Sequence, residues 1–199
     1  MRKRPVPKSI HNPFSAVLLA GGRSTRMGCD KASLIIDGQP LWLRQLATLR
    51  ATGTSDIFIS GRPDGPYANA GIEIIPDATP DLGPLSGIAA ALHRITTPLL
   101  LVLAIDLPGI GSEFLLRMVH EAVRANAGAV PWIDRHFEAL AAVYPVTALP
   151  LIEECLRSED RSMQHFARCA CQAGVLTALP ISADHLLTFR NLNSPADLD

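Results

Sequence analysis

Short apolar runs recur along the chain, with longer stretches of helical spacing between them. "FSAVLLA" (14–20), "DIFIS" (56–60), "IEII" (72–75) and "PLLLVLA" (98–104) are rich in branched residues and predict strands. The last is apolar almost without a break, which predicts a central parallel strand covered by helices on both faces. Elsewhere the period changes from two to between three and four. Trp42, Leu46 and Leu49 share one face of 40–52; Leu85, Ile88, Ala89 and Leu92 do so in 84–95; Leu115, Met118, Val119, Ala122 and Val123 do so in 112–126. Pro84, directly after Gly83, suits a first helical position, where a missing N–H costs nothing. Beyond residue 128 the pattern loosens: 137–144 and 175–181 read as strands, 148–157 and 161–172 as helices.

Strands alternating with helices through short connections predict an α/β fold: a three-layer, Rossmann-like open sheet, mostly parallel, with its ligands beyond the carboxyl ends of the strands. No internal repeat or linker is visible. A length of 199 residues, 48% hydrophobic and 19% charged, suits one domain over 14–199 behind a flexible basic N-terminus, 1–13. The few apolar residues after "MRKRPVPK" are too few for a signal-peptide core or a membrane span. With a formal net charge of −1 there is no global field to hold nucleic acid or an anionic membrane, so any anion site is local. Cys29, Cys155, Cys169 and Cys171 lack paired CxxC spacing and no HExxH occurs, so neither zinc nor a disulfide framework is indicated, and the thiols suit a reducing cytoplasm. Cys169 and Cys171 read as the small face of a helix.

The candidate chemistry begins after the first strand, in "LLAGGRSTRMGCDK" (18–31). Gly21 and Gly22 leave room for a ligand against the main chain, and consecutive amides can donate to phosphate oxygens. Arg26 offers a planar fork and Lys31 a mobile point charge; with Arg23 they make a plausible triphosphate cradle. The spacing is neither Walker nor GxGxxG, and a glycine turn with solvated cations fits the same residues. Asp106 follows the most apolar strand. A carboxylate there can hold magnesium, a hard cation that bridges phosphates and keeps several waters, or it can cap the next helix. "PDATPDLGPLSG" (76–87) could set Asp77 near a ribose and aim helix amides at a base or phosphate, or be only a turn. Asn191 and Asn193, in "FRNLNSPADL", share one side of an extended segment; such amides bind polar rings and phosphates, and also favour turns.

Taken together, these stretches resemble the molybdenum cofactor guanylyltransferases, within the wider nucleotidyltransferase superfamily. "LAGGRSTRMGCDK" matches that family's L-A-G-G-x-S-x-R-M-G-x-D-K, and "GPLSGI", "DLP", "FEALAAVYP" and "RNLNSPADL" resemble its later segments in order, from about Phe14 onward. Ala104 and Ile105 stand where relatives often show proline-cysteine, and "ISGR" (59–62) lacks a common asparagine. The resemblance implies a sheet of the nucleotide-diphospho-sugar transferase type and transfer of GMP from GTP to the terminal phosphate of molybdopterin, or molybdenum-molybdopterin. It assigns Arg26 and Lys31 to the phosphates, Asp106 to magnesium, and Leu19, Ala20, Gly21, Gly22, Asp77 and Gly83 to the nucleotide. Asn191 and Asn193 fall towards the acceptor, and molybdoenzyme chaperones are further candidate partners. No serine or cysteine nucleophile is needed, because a phosphate monoester with a second pKa of about 6 is already largely ionised near neutrality. A cytidylyl-transferring relative, or another small-molecule nucleotidyltransferase, would keep the same cradle. A non-catalytic nucleotide-binding carrier is the rival of another class.

Overall fold

The computed structural model describes residues 13–21, 30–76 and 83–192. Its strands are β1 (Phe14–Leu19), β2 (Ile35–Ile36), β3 (Gln39–Pro40), β4 (Asp56–Ser60), β5 (Glu73–Ile75), β6 (Leu99–Ala104), β7 (Gly128–Ile133), β8 (His136–Phe137), β9 (Ala141–Pro145) and β10 (Leu176–Pro180). The helices are α1 (Leu41–Arg50), α2 (Pro84–Arg94), α3 (Ser112–Ala125), α4 (Leu149–Arg157) and α5 (Met163–Gln172). The main sheet runs in the order β10-β7-β9-β6-β1-β4-β5, with β8 paired to β7, and β2 and β3 form a separate hairpin.

β1 is an interior strand, parallel to β4 on one side and to the central strand β6 on the other. Its side chains alternate between two cores, as a strand period of two requires. Ala16 and Leu18 of β1, with Leu101 and Leu103 of β6, face α1 and α3; Val17 and Leu19, with Leu100 and Val102, face α2, α4 and α5. This explains the unbroken apolar run, since both faces of β6 are covered. The fold is an α/β sandwich in which β6, β1, β4 and β5 form a continuous parallel run from the central strand to one edge.

The chain departs from the expected pattern between 128 and 145. The single strand read over 137–144 is two: β8 turns back on β7 as a short hairpin, and β9 then runs antiparallel to both β6 and β7. Residues 138–140 make the break, with the Glu138 N–H given to the Pro131 carbonyl and the Ala141 N–H to the Glu138 carbonyl. β7 itself, "GAVPWI", escapes the sequence pattern because Pro131 interrupts it and its glycine end looks like a turn. The segment over 161–172 is helical only from Met163, where the Ser162 hydroxyl caps it by accepting from the His165 N–H.

Candidate functional site

The parallel arrangement brings the carboxyl ends of β1, β4 and β6 to one rim, and backbone bonds tie those ends together. Beyond β1, the Ala20 N–H donates to the Ser60 carbonyl at 2.8 Å, and the Ile105 N–H donates back to the Leu19 carbonyl at 2.9 Å. Leu19 and Ala20 are buried and Gly21 is exposed at the rim itself. Gly22, Arg23 and Arg26, and the whole N-terminal stretch 1–12, lie outside the described residues, as do Asp77 and Asn193.

The chain re-enters at Asp30, whose carboxylate accepts from the Ala32 N–H at 3.0 Å and so caps a 3-10 turn, Lys31–Ser33. The other carboxylate oxygen of Asp30 accepts from Arg62 at 2.8 Å, which anchors the turn to the loop after β4. The turn presents Lys31. Its Nζ lies 3.4 Å from Oδ2 of Asp106, and the two side chains are 19% and 24% exposed. Two residues 75 apart in sequence therefore meet at the junction of β1 and β6. Asp106 does not cap the next helix: the residue before α3 is Gly111, which offers no side chain to cap it.

The C-terminal stretch joins the same rim. The Leu192 N–H donates to the Asp106 carbonyl at 2.9 Å, so the neighbouring Asn191, exposed, stands beside Asp106. α2 also starts at this rim. Gly83 precedes its first turn with φ 74° and ψ −175°, a conformation essentially reserved for glycine, and Pro84 follows at the helix start as its sequence position predicts. Gly87 packs so closely that a Cβ would sit 2.4 Å from the Ser60 hydroxyl and 3.4 Å from Leu19, which seats α2 against the ends of β1 and β4.

Three contributors escaped the sequence reading. Arg62 clamps Asp30, although its own position suggested only a departure from the family pattern. Gln45, on α1, is fully buried and donates to the carbonyls of Ala104 and Leu107, on either side of Asp106; a polar residue inside the stripe formed by Trp42, Leu46 and Leu49 was its signal. Glu138 is half-buried on the β9 side of Asp106. Burial pushes its carboxyl up from the usual range, His136 works against that rise, and the charge of Asp106 adds to it. Lys31, Asp106 and Glu138 thus share the rim. Among the described residues no group of three or more His, Cys, Asp or Glu side chains converges on a metal site, and Cys155, Cys169 and Cys171 form no disulfide.

A rim of this kind, with a cation and a carboxylate at the ends of adjacent parallel strands, can hold a phosphate-bearing ligand and a divalent ion together. The matching family model, described as MobA-like NTP transferase domain, covers residues 16–175. The chain belongs to this family.

It is accordingly a nucleotidyltransferase, and its relatives share most of its length. A protein of Opitutus terrae named "probable molybdenum cofactor guanylyltransferase" is 34% identical over 189 residues, covering 94% of this chain and 93% of that one. The molybdenum cofactor guanylyltransferase of Xanthomonas euvesicatoria is 30% identical over 193 residues, covering 94% and 93%. Among solved structures, molybdopterin-guanine dinucleotide biosynthesis protein A of Archaeoglobus fulgidus superposes with a TM-score of 0.73 at 22% identity, over 92% of this chain and 94% of that one. The 2-C-methyl-D-erythritol 4-phosphate cytidylyltransferase of Thermus thermophilus superposes with a TM-score of 0.67 at 17% identity, over 92% of this chain and 94% of that one. These two structural likenesses establish a common nucleotidyltransferase fold.

Proposed function

We propose that this MobA-like protein transfers GMP from GTP to the terminal phosphate of molybdopterin, forming molybdopterin guanine dinucleotide and pyrophosphate. The observation that carries the reading is the 3.4 Å approach of Lys31 to Asp106 at the ends of β1 and β6. The names of the relatives and the glycine-rich segment of 18–31 support the choice of substrates.

In this reaction an oxygen of the acceptor phosphate forms a bond to the α-phosphorus of GTP while the bond from that phosphorus to the bridging oxygen breaks. The electron pair leaves with pyrophosphate. The nucleophile is already an anion, so no side chain has to remove a proton; what the site must supply is alignment and relief of repulsion between two anions. Lys31 is suited to the second task, because a partly buried ammonium acts in a region where charge is poorly screened. Arg26 is assigned to the leaving pyrophosphate, Gly21 and Gly22 to the triphosphate, and Leu19, Ala20, Asp77 and Gly83 to the nucleoside. Asn191 and Asn193 are assigned to the acceptor, as their sequence motif suggests.

The donor set suits magnesium. Asp106 offers a hard oxygen ligand, partly exposed at the rim, and magnesium ordinarily completes its shell with waters and substrate phosphates, so no cage of protein ligands is required. Bound there, the ion would neutralise charge on the α-phosphate as the new bond forms. The decisive experiment incubates the protein with magnesium, molybdopterin and each nucleoside triphosphate in turn. A dinucleotide and pyrophosphate formed from GTP are expected; product from CTP alone would replace the guanylyl reading with a cytidylyl one, and tight nucleotide binding without product would favour a carrier.

A further inference from the structure

We propose that Gln45 is a positioning residue that holds Asp106 in register with Lys31, an inference that rests on the transferase reading for its functional meaning. β6 ends at Ala104, and past that point the backbone must find partners outside the sheet. The Ala104 N–H goes to the Leu140 carbonyl, the Ile105 N–H to the Leu19 carbonyl, and the Asp106 carbonyl accepts from Leu192. The carbonyls of Ala104 and Leu107 are left with turn bonds of 3.4 Å from Leu107 and 3.2 Å from Ile110. Pro108 has no N–H to add. Into this gap α1 extends Gln45, whose Nε2 donates to the Ala104 carbonyl at 3.2 Å and to the Leu107 carbonyl at 3.0 Å. One side-chain amide thus spans the two carbonyls that bracket Ile105 and Asp106.

The chemistry settles which way the amide faces. Both neighbours are acceptors, so the nitrogen must point to them, and Oε1 is left buried without a hydrogen-bond partner among the described residues. An orphaned buried oxygen costs about what two such bonds contribute, so net stability does not account for the arrangement. Geometry does. The same helix is tied at its start to the Lys31 turn, because the Leu41 N–H donates to the Leu34 carbonyl at 2.8 Å and Leu34 closes that turn. α1 therefore holds the lysine segment at its first residue and the aspartate segment one turn later. A reacting group keeps its geometry only when its supporting contacts are themselves locked.

The test compares wild type with Gln45→Leu and Gln45→Glu. Leucine fills the space but cannot donate. A glutamate can donate to one carbonyl when protonated and opposes both when ionised. For Gln45→Leu we expect a near-unchanged unfolding temperature, turnover lower by about 10- to 100-fold, and KM for GTP within about threefold of wild type. Manganese, used as the divalent probe, should bind the GTP-loaded protein about tenfold more weakly in calorimetry, in keeping with a displaced carboxylate. The turnover of Gln45→Glu relative to wild type should rise as pH falls, because burial favours the protonated acid.

Wild-type turnover and manganese affinity in Gln45→Leu would overturn the proposal. So would a Gln45→Glu deficit that is equal at every pH, a result that also decides the matter if Gln45→Leu does not fold. Failure of the underlying reading is separable: wild-type protein that transfers no nucleotide would refute the transferase, while the manganese comparison would still judge the role of Gln45.

Discussion

Lys31 is held from both sides, by a capped turn beneath it and a carboxylate in front of it, so little conformational freedom remains to be lost when a substrate arrives. Replacing it by alanine should lower turnover by on the order of 10²-fold or more, the usual cost of losing a fixed positive charge that meets developing negative charge. Steady-state kinetics with GTP checks this, and wild-type turnover would remove Lys31 from the scheme. Asp106→Ala should abolish transfer while leaving GTP binding measurable by calorimetry, because under the proposed function the carboxylate serves the metal rather than the base. Glu138 permits a prediction about pH. Its carboxyl is raised in the folded protein, so the folded state favours the protonated form; the stability this provides is present at acid pH and lost as pH rises through the folded-state value. Glu138→Gln should therefore match wild type in urea unfolding at about pH 4 and exceed it at about pH 7, on either side of the ordinary glutamate range. A gap of equal size at both pH values would contradict this.

At the scale of elements, the site depends on how α1 and α2 are seated. Gly83 occupies a backbone region open in practice only to glycine, and Gly83→Ala should destabilise the protein by about 1–3 kcal/mol, read as a lower thermal midpoint. Loss of activity beyond that expected from unfolding would show that the start of α2 also serves the nucleotide. Much of this level was legible beforehand. Pro84 after Gly83 announced the start of α2, and the stripes in 112–126 and 84–95 became α3 and α2. Gln45 was legible only as an anomaly, since a buried amide and a surface one look alike until the partner carbonyls are located. The split of 137–144 was not legible, because "FEALAAVY" is apolar on both sides of its turn and periodicity cannot mark a reversal inside such a run.

At the scale of the whole molecule, local pattern determined that strands alternate with helices, that β6 is covered on both faces, and that a glycine-rich segment with basic side chains and an acidic strand end exist. These follow from side-chain period and residue chemistry, which act over a few positions. Pairing was decided only by the tertiary structure: β9 enters antiparallel between β6 and β7, β1 sits between β6 and β4, and residues 31, 45, 106 and 192 meet at one rim. The physical reason is that hydrogen bonds between strands and buried contacts between distant segments depend on which elements share a neighbour, a choice made by the free energy of the assembled core rather than by any one stretch of chain.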